Sequence, residues 1–304
     1  MKHNLKITMV LLAMFLVTQF IGLYVVNHYT LGKDTLPFGM EQPKVEKQSD
    51  YPPLLLGLLI AFVLAIFIFF FLTKFKMELI LRLWFFFVIV ISLAISIFTL
   101  TSKFDYLLYG VIPLIASIIA FALALGKIYG RHFLVHNFTE LFIYPGIAAV
   151  FVPILNVSTI IALLIVISVY DMWAVWHSGT MQKMAKYQIT KLKIFSGFFI
   201  PYASKKVKQQ IANWKKTLSK SKFKKKKIKV NVAILGGGDV VFPIITAGVM
   251  LRTLGFVSAL FVILGATLGL LYLFLVAEKK KFYPAMPFIT AGIFLGIAAS
   301  YVFL

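Results

Sequence analysis

Nine stretches of about 20 mostly apolar residues follow one another along the chain, at 5–26, 52–73, 79–100, 106–126, 138–155, 157–176, 230–251, 254–277 and 285–304. At 1.5 Å per residue, a helix of that length matches a hydrocarbon core about 30 Å thick. Inside lipid every backbone N–H and C=O needs an internal partner, so each stretch is predicted to be a helix rather than an open strand. Composition agrees: of 304 residues, 61% are hydrophobic and 13% charged, against about half and a quarter in soluble domains. The expected fold class is an all-α polytopic membrane protein with nine transmembrane helices. The first stretch is longer than a signal-peptide core and ends without a small-x-small cleavage site, so it is read as a retained helix. The fifth carries Glu140, Pro145, Gly146 and Pro153 and is expected to be kinked.

The chain has no cysteine, which excludes disulfides, iron–sulfur clusters and thiolate chemistry. Its five histidines are scattered without an HExxH pattern, so no metal is expected. His177-Ser178-Gly179 hints only weakly at a serine protease, because adjacent residues do not readily form a catalytic pair. The formal net charge is +21. Much of it lies in residues 177–229, which hold 16 lysines and no acid. In an apolar chain such a block is read as a segment on anionic headgroups, not as a nucleic-acid site. Ile194, Phe195, Phe198, Phe199, Tyr202 and Trp214 are interleaved with it, and parts of it are predicted to lie as interfacial helix.

Lys and Arg gather on the cytoplasmic side of membrane proteins. With the N-terminus inside, that side collects Lys2, Lys6, Lys74, Lys76, Arg82, Lys127, Arg131, the 16 lysines and Lys279–Lys281. Only Lys33, Lys44, Lys47, Lys103 and Arg252 remain outside. The expected organisation is a six-helix part (1–176), a cytoplasmic Lys-rich loop (177–229) and a three-helix part (230–304), with the C-terminus outside the cell membrane.

Of ten acids, only Glu140, Asp171 and Asp239 fall within apolar stretches, where an ionisable group is costly and points to function. Glu140 stands near the start of its span, close to His132 and His136, and reads as a headgroup-level acid paired with a neighbouring base. Asp171 lies roughly 21 Å into a span entered from outside, and Asp239 roughly 14 Å into the next span, entered from inside. Both land in the inner half of the membrane on consecutive antiparallel helices. Position alone leaves two-carboxylate catalysis and proton-coupled transport open.

The neighbouring residues narrow the choice. Tyr170 precedes Asp171, Gly236, Gly237 and Gly238 precede Asp239, and Pro284-Ala285-Met286 opens the last span. A glycine run inside a span is tolerated where something must approach the backbone closely, although helix packing is an ordinary alternative. Together the three motifs resemble the presenilin and signal peptide peptidase family of intramembrane aspartyl proteases, whose pattern is Tyr-Asp in span six, Gly-x-Gly-Asp in span seven and Pro-Ala-Leu at span nine. Met286 replaces the usual Leu, a volume-conserving change.

The resemblance implies a presenilin-like fold and hydrolysis of peptide bonds within transmembrane helical substrates, with Asp171 and Asp239 as the catalytic pair. It implies no metal and no organic cofactor. Tyr170, the three glycines, Pro284, Ala285 and Met286 would support the substrate, whose unwound backbone could add as a strand near Gly236–Gly238 and Pro284–Met286. The charge count gives the orientation of presenilins, opposite to that of signal peptide peptidases. A proton- or ion-coupled transporter using the same two acids is the alternative.

Overall fold

The computed structural model describes residues 5–31, 36–41, 45, 47–102, 111–130, 132–178, 184, 187–192, 194–202, 207, 209, 231–278 and 283–304. Among them are nine helices long and apolar enough to cross a membrane: α1 (Leu5–Leu31), α2 (Tyr51–Lys74), α3 (Glu78–Thr101), α4 (Ile112–Gly130), α5 (Phe133–Phe151), α6 (Val157–Trp173), α7 (Gly237–Leu254), α8 (Phe256–Val276) and α9 (Met286–Phe303). The expected fold class holds. Trp214 and most of the Lys-rich loop lie outside the described residues, as do Lys279–Lys281.

α1, α5, α7 and α8 form the centre, with α6 and α9 packed together at one side and α3 and α4 at the other. Phe15, Leu11, Leu164, Ile244, Val262 and Ile289 are fully buried between them. α2 stands apart: no residue of its most apolar window is buried, and most of its large side chains are exposed. Its start is held by Arg252 at the end of α7, which donates to Tyr51 Oη (3.0 Å) and to the carbonyls of Pro153 (3.1 Å) and Leu155 (2.8 Å). α5 runs unbroken through Pro145 and ends in a 3-10 turn at Val152–Ile154.

Two expectations are corrected. The seventh span does not begin at 230: Asn231–Gly236 is a strand, β2, and the helix starts at Gly237. Val232 and Ile234 are exposed while Ala233 and Leu235 are buried, an alternation of period two that belongs to a strand. The glycine run therefore sits at the start of α7, and Asp239 stands in its first turn instead of deep inside it. The aromatic segment near 195–202 is not interfacial helix either. Gly197–Tyr202 forms β1, antiparallel to β2, with Gly197 opposite Gly236 and Tyr202 opposite Asn231. Phe198 on it is fully buried, so these aromatics serve the protein interior. The fourth helix is described from Ile112, residues 106–110 of the expected span lying outside the described residues, and the fifth starts five residues early at Phe133.

Candidate active site

The β2–α7 junction explains how Asp239 is set. Gly236, with extended backbone (φ −64°, ψ 149°), is the N-cap of α7, which makes Asp239 the third helical residue. Its carboxyl reaches back to the Gly236 N–H, the acid half of a capping box. A Cβ on Gly236 would lie 3.1 Å from Asp239 Oδ2, so a larger residue would displace the carboxyl by a few tenths of an ångström. Gly237 stands at the variable position of the motif, yet here a Cβ would fall 2.8 Å from Ser196 Oγ and 2.9 Å from Tyr144 Oη. Gly238 is exposed, with only the Phe242 ring nearby at 3.7 Å from such a Cβ.

Asp171 is positioned from the other direction. It lies near the C-terminal end of α6 and is only 5% exposed. Its Oδ2 accepts the Met286 N–H at 3.1 Å, and the Ala285 N–H bonds it as well. These are the first amides of α9, which have no partner within their own helix and carry the positive end of its dipole. Ser168, one turn before Asp171, donates to Thr290 Oγ1 on α9 at 2.9 Å, locking α6 to α9 beside that contact. Pro284 is buried just ahead of it. The Pro284-Ala285-Met286 motif thus serves a carboxylate directly through its backbone.

The two carboxyl groups are near enough to repel one another, so the structure brings Asp171, Asp239, Gly236, Ala285 and Met286 together. Tyr170 turns away: its ring packs edge-on against Phe62 of α2 (5.8 Å) and beside Trp173 (6.3 Å). Sequence reasoning missed several supports. Gln19 of α1 donates to the carbonyl of Val240 at 3.0 Å, and Tyr144 and Ser196 enclose Gly237. They come from distant parts of the chain, and no spacing rule joins them to the aspartates.

Glu140 is enclosed by protein and, as expected of it, paired with a base. It is 1% exposed, bonded to Lys127 Nζ at 2.5 Å, with His136 Nε2 at 3.4 Å. Of the two histidines expected beside it, His136 is there; its closer partner is Lys127.

The family model described as signal-peptide peptidase, presenilin aspartyl protease matches residues 12–304. No curated protein matches the chain. Two solved structures of a presenilin family intramembrane aspartate protease share its fold. The one in space group C222 is 16% identical with a TM-score of 0.59, covering 98% of this chain and 99% of that one. The one in space group P2 is 17% identical with a TM-score of 0.58, covering 97% of each. The transporter alternative finds no support in these matches.

Proposed function

The chain belongs to the signal-peptide peptidase and presenilin family of aspartyl proteases, and from that premise we propose that Asp171 and Asp239 are its catalytic pair, in a protease of the Gly-x-Gly-Asp type. The observation that carries the reading is the convergence of two carboxyls from consecutive spans, one of them held by the free amides of a third helix. Two carboxylates in one apolar site do not both ionise readily, so the pair shares a proton. The ionised member takes a proton from water as the water oxygen bonds to the scissile carbonyl carbon. The protonated member gives its proton to the carbonyl oxygen. As the C–N bond breaks, the leaving nitrogen takes up a proton from one member. A hydroxyl of the tetrahedral intermediate returns its proton to the other, restoring the carbonyl and the singly protonated pair. The roles belong to the pair and not to either residue.

The substrate is a transmembrane helix, which has to unwind before its amide is exposed. Val232 and Ile234, on the side of β2 away from β1, are about 45% exposed, and an unwound segment could pair there as a strand. The six-helix part (1–176) supplies Asp171 and the three-helix part (230–304) supplies Asp239. The Lys-rich loop between them, 177–229, faces anionic headgroups at the cytoplasmic surface of the cell membrane in this reading.

The test is cleavage of a labelled transmembrane peptide in lipid vesicles, read by mass spectrometry. Wild-type protein should give products. Asp171→Asn and Asp239→Asn should each lose at least about a thousandfold in rate, and the double variant should be no worse, as for groups acting as one unit. Near wild-type cleavage by either single variant would remove the assignment.

A further inference from the structure

The outer edge of β1 is occupied by side chains. In an antiparallel pair, alternate residues turn their N–H and C=O away from the partner strand. On β1 these include Gly197 and Phe199, and α5 meets both. Asn137 Nδ2 donates to the Phe199 carbonyl at 2.8 Å, and the Phe199 N–H donates to Asn137 Oδ1 at 3.1 Å. The Gly197 N–H donates to Glu140 Oε1 at 3.4 Å, and His136 Nε2 donates to the Gly197 carbonyl at 2.8 Å. Because that carbonyl only accepts, Nε2 carries the hydrogen. Nδ1 is then left to accept from Lys127 Nζ at 3.3 Å. Lys127 also donates to Glu140, so three ionisable side chains are tied to a single glycine. Pro201, the next residue turned outward, has no N–H to satisfy.

A buried Lys–Glu pair is seldom more stabilising than apolar residues of equal volume, and inside a membrane it is costly. It does fix geometry. Gly197 lies opposite Gly236, and Gly236 caps the helix that carries Asp239.

We propose that Asn137, His136, Glu140 and Lys127 are positioning residues for proteolysis: standing in for a third strand, they hold the β1–β2 pair and, through Gly236, the start of α7. The inference rests on the proteolysis reading above. Its test uses neutral substitutions, because removing Lys127 or Glu140 alone strands a buried charge. Rates are taken per active site, titrated with a tight-binding hydroxyl transition-state mimic, so that misfolded molecules are not counted.

Asn137→Ala and His136→Leu should each lower kcat about tenfold or more, the scale expected from a sub-ångström misplacement of a reacting group. KM should change less than about twofold, because the substrate side of β2 is untouched. His136→Gln keeps an N–H donor and should recover most of kcat. Wild-type kcat in both loss variants overturns the inference, as does a His136→Gln variant no better than His136→Leu. Wild-type protein and Asp239→Asn run in the same assay: absent cleavage by the first, or cleavage by the second, is a failure of the proteolysis reading and not of this one.

Discussion

At the scale of single residues, the candidate site is built from backbone as much as from side chains. Asp171 is held by the amides of Ala285 and Met286, and Asp239 by the amide of Gly236. Pro284→Ala frees the chain just before those amides and should lower cleavage about tenfold or more, with the protein still folded in detergent by circular dichroism. Met286→Leu keeps both the amide and the volume, and its rate should stay within about twofold of wild type. Gly236→Ala places a methyl 3.1 Å from Asp239 Oδ2. It should reduce kcat about tenfold with little change in KM, measurable in the same peptide assay. The two aspartates and their motif residues were legible in the sequence because acids are rare in apolar stretches. That the proline motif serves Asp171 was not, because an amide carries no sequence signature. Tyr144, Ser196 and Gln19 were equally invisible, since their roles exist only once α1, α5 and β1 have packed against α7.

At the scale of elements, the contact that sets Asp171 depends on how closely α9 can lie against α8. Gly265 and Gly269 on α8 face Gly292 and Gly296 on α9, and a Cβ on Gly292 would run into the carbonyl of Gly265. Glycines four apart let membrane helices approach backbone to backbone. Gly292→Leu should force the helices apart, costing about 1–3 kcal/mol of stability. It should also draw the Met286 amide from Asp171, so that thermal unfolding in detergent and the cleavage rate fall together. Loss of stability with an unchanged rate would show that α9 does not set Asp171. The helices themselves were legible from apolar length alone. The two strands were not: β2 continues into an apolar helix without a polar break, so the two periods merged into one apparent span. β1 sits in a lysine-rich context that reads as a segment lying on headgroups, although Phe198 is fully buried.

At the scale of the whole molecule, the nine long apolar helices among the described residues are what the sequence conveyed best, because their length follows from the bilayer itself. The family match spans residues 12–304, so this architecture extends over nearly the entire chain. Orientation can be read directly because the chain has no cysteine. Single cysteines at Ser221, which lies outside the described residues, and after Leu304 should differ in intact cells. An impermeant maleimide should label the second and not the first. Labelling at Ser221 alone would reverse the orientation and, with it, the end from which a substrate helix is presented.

The Lys127–Glu140 pair also bears on how the protein is made. Glu140 is the eighth residue of α5, roughly 10 Å from the helix start, and Lys127 stands in the last turn of α4. Either helix delivered alone to the bilayer carries an uncompensated charge, a penalty of up to about 3 kcal/mol for a central Lys or Asp-like group. Only residues 131 and 132 separate the two helices, so the two charges neutralise one another within a single α4–α5 hairpin. Lipid solvation of this hairpin is therefore cheaper than that of its two helices taken one at a time.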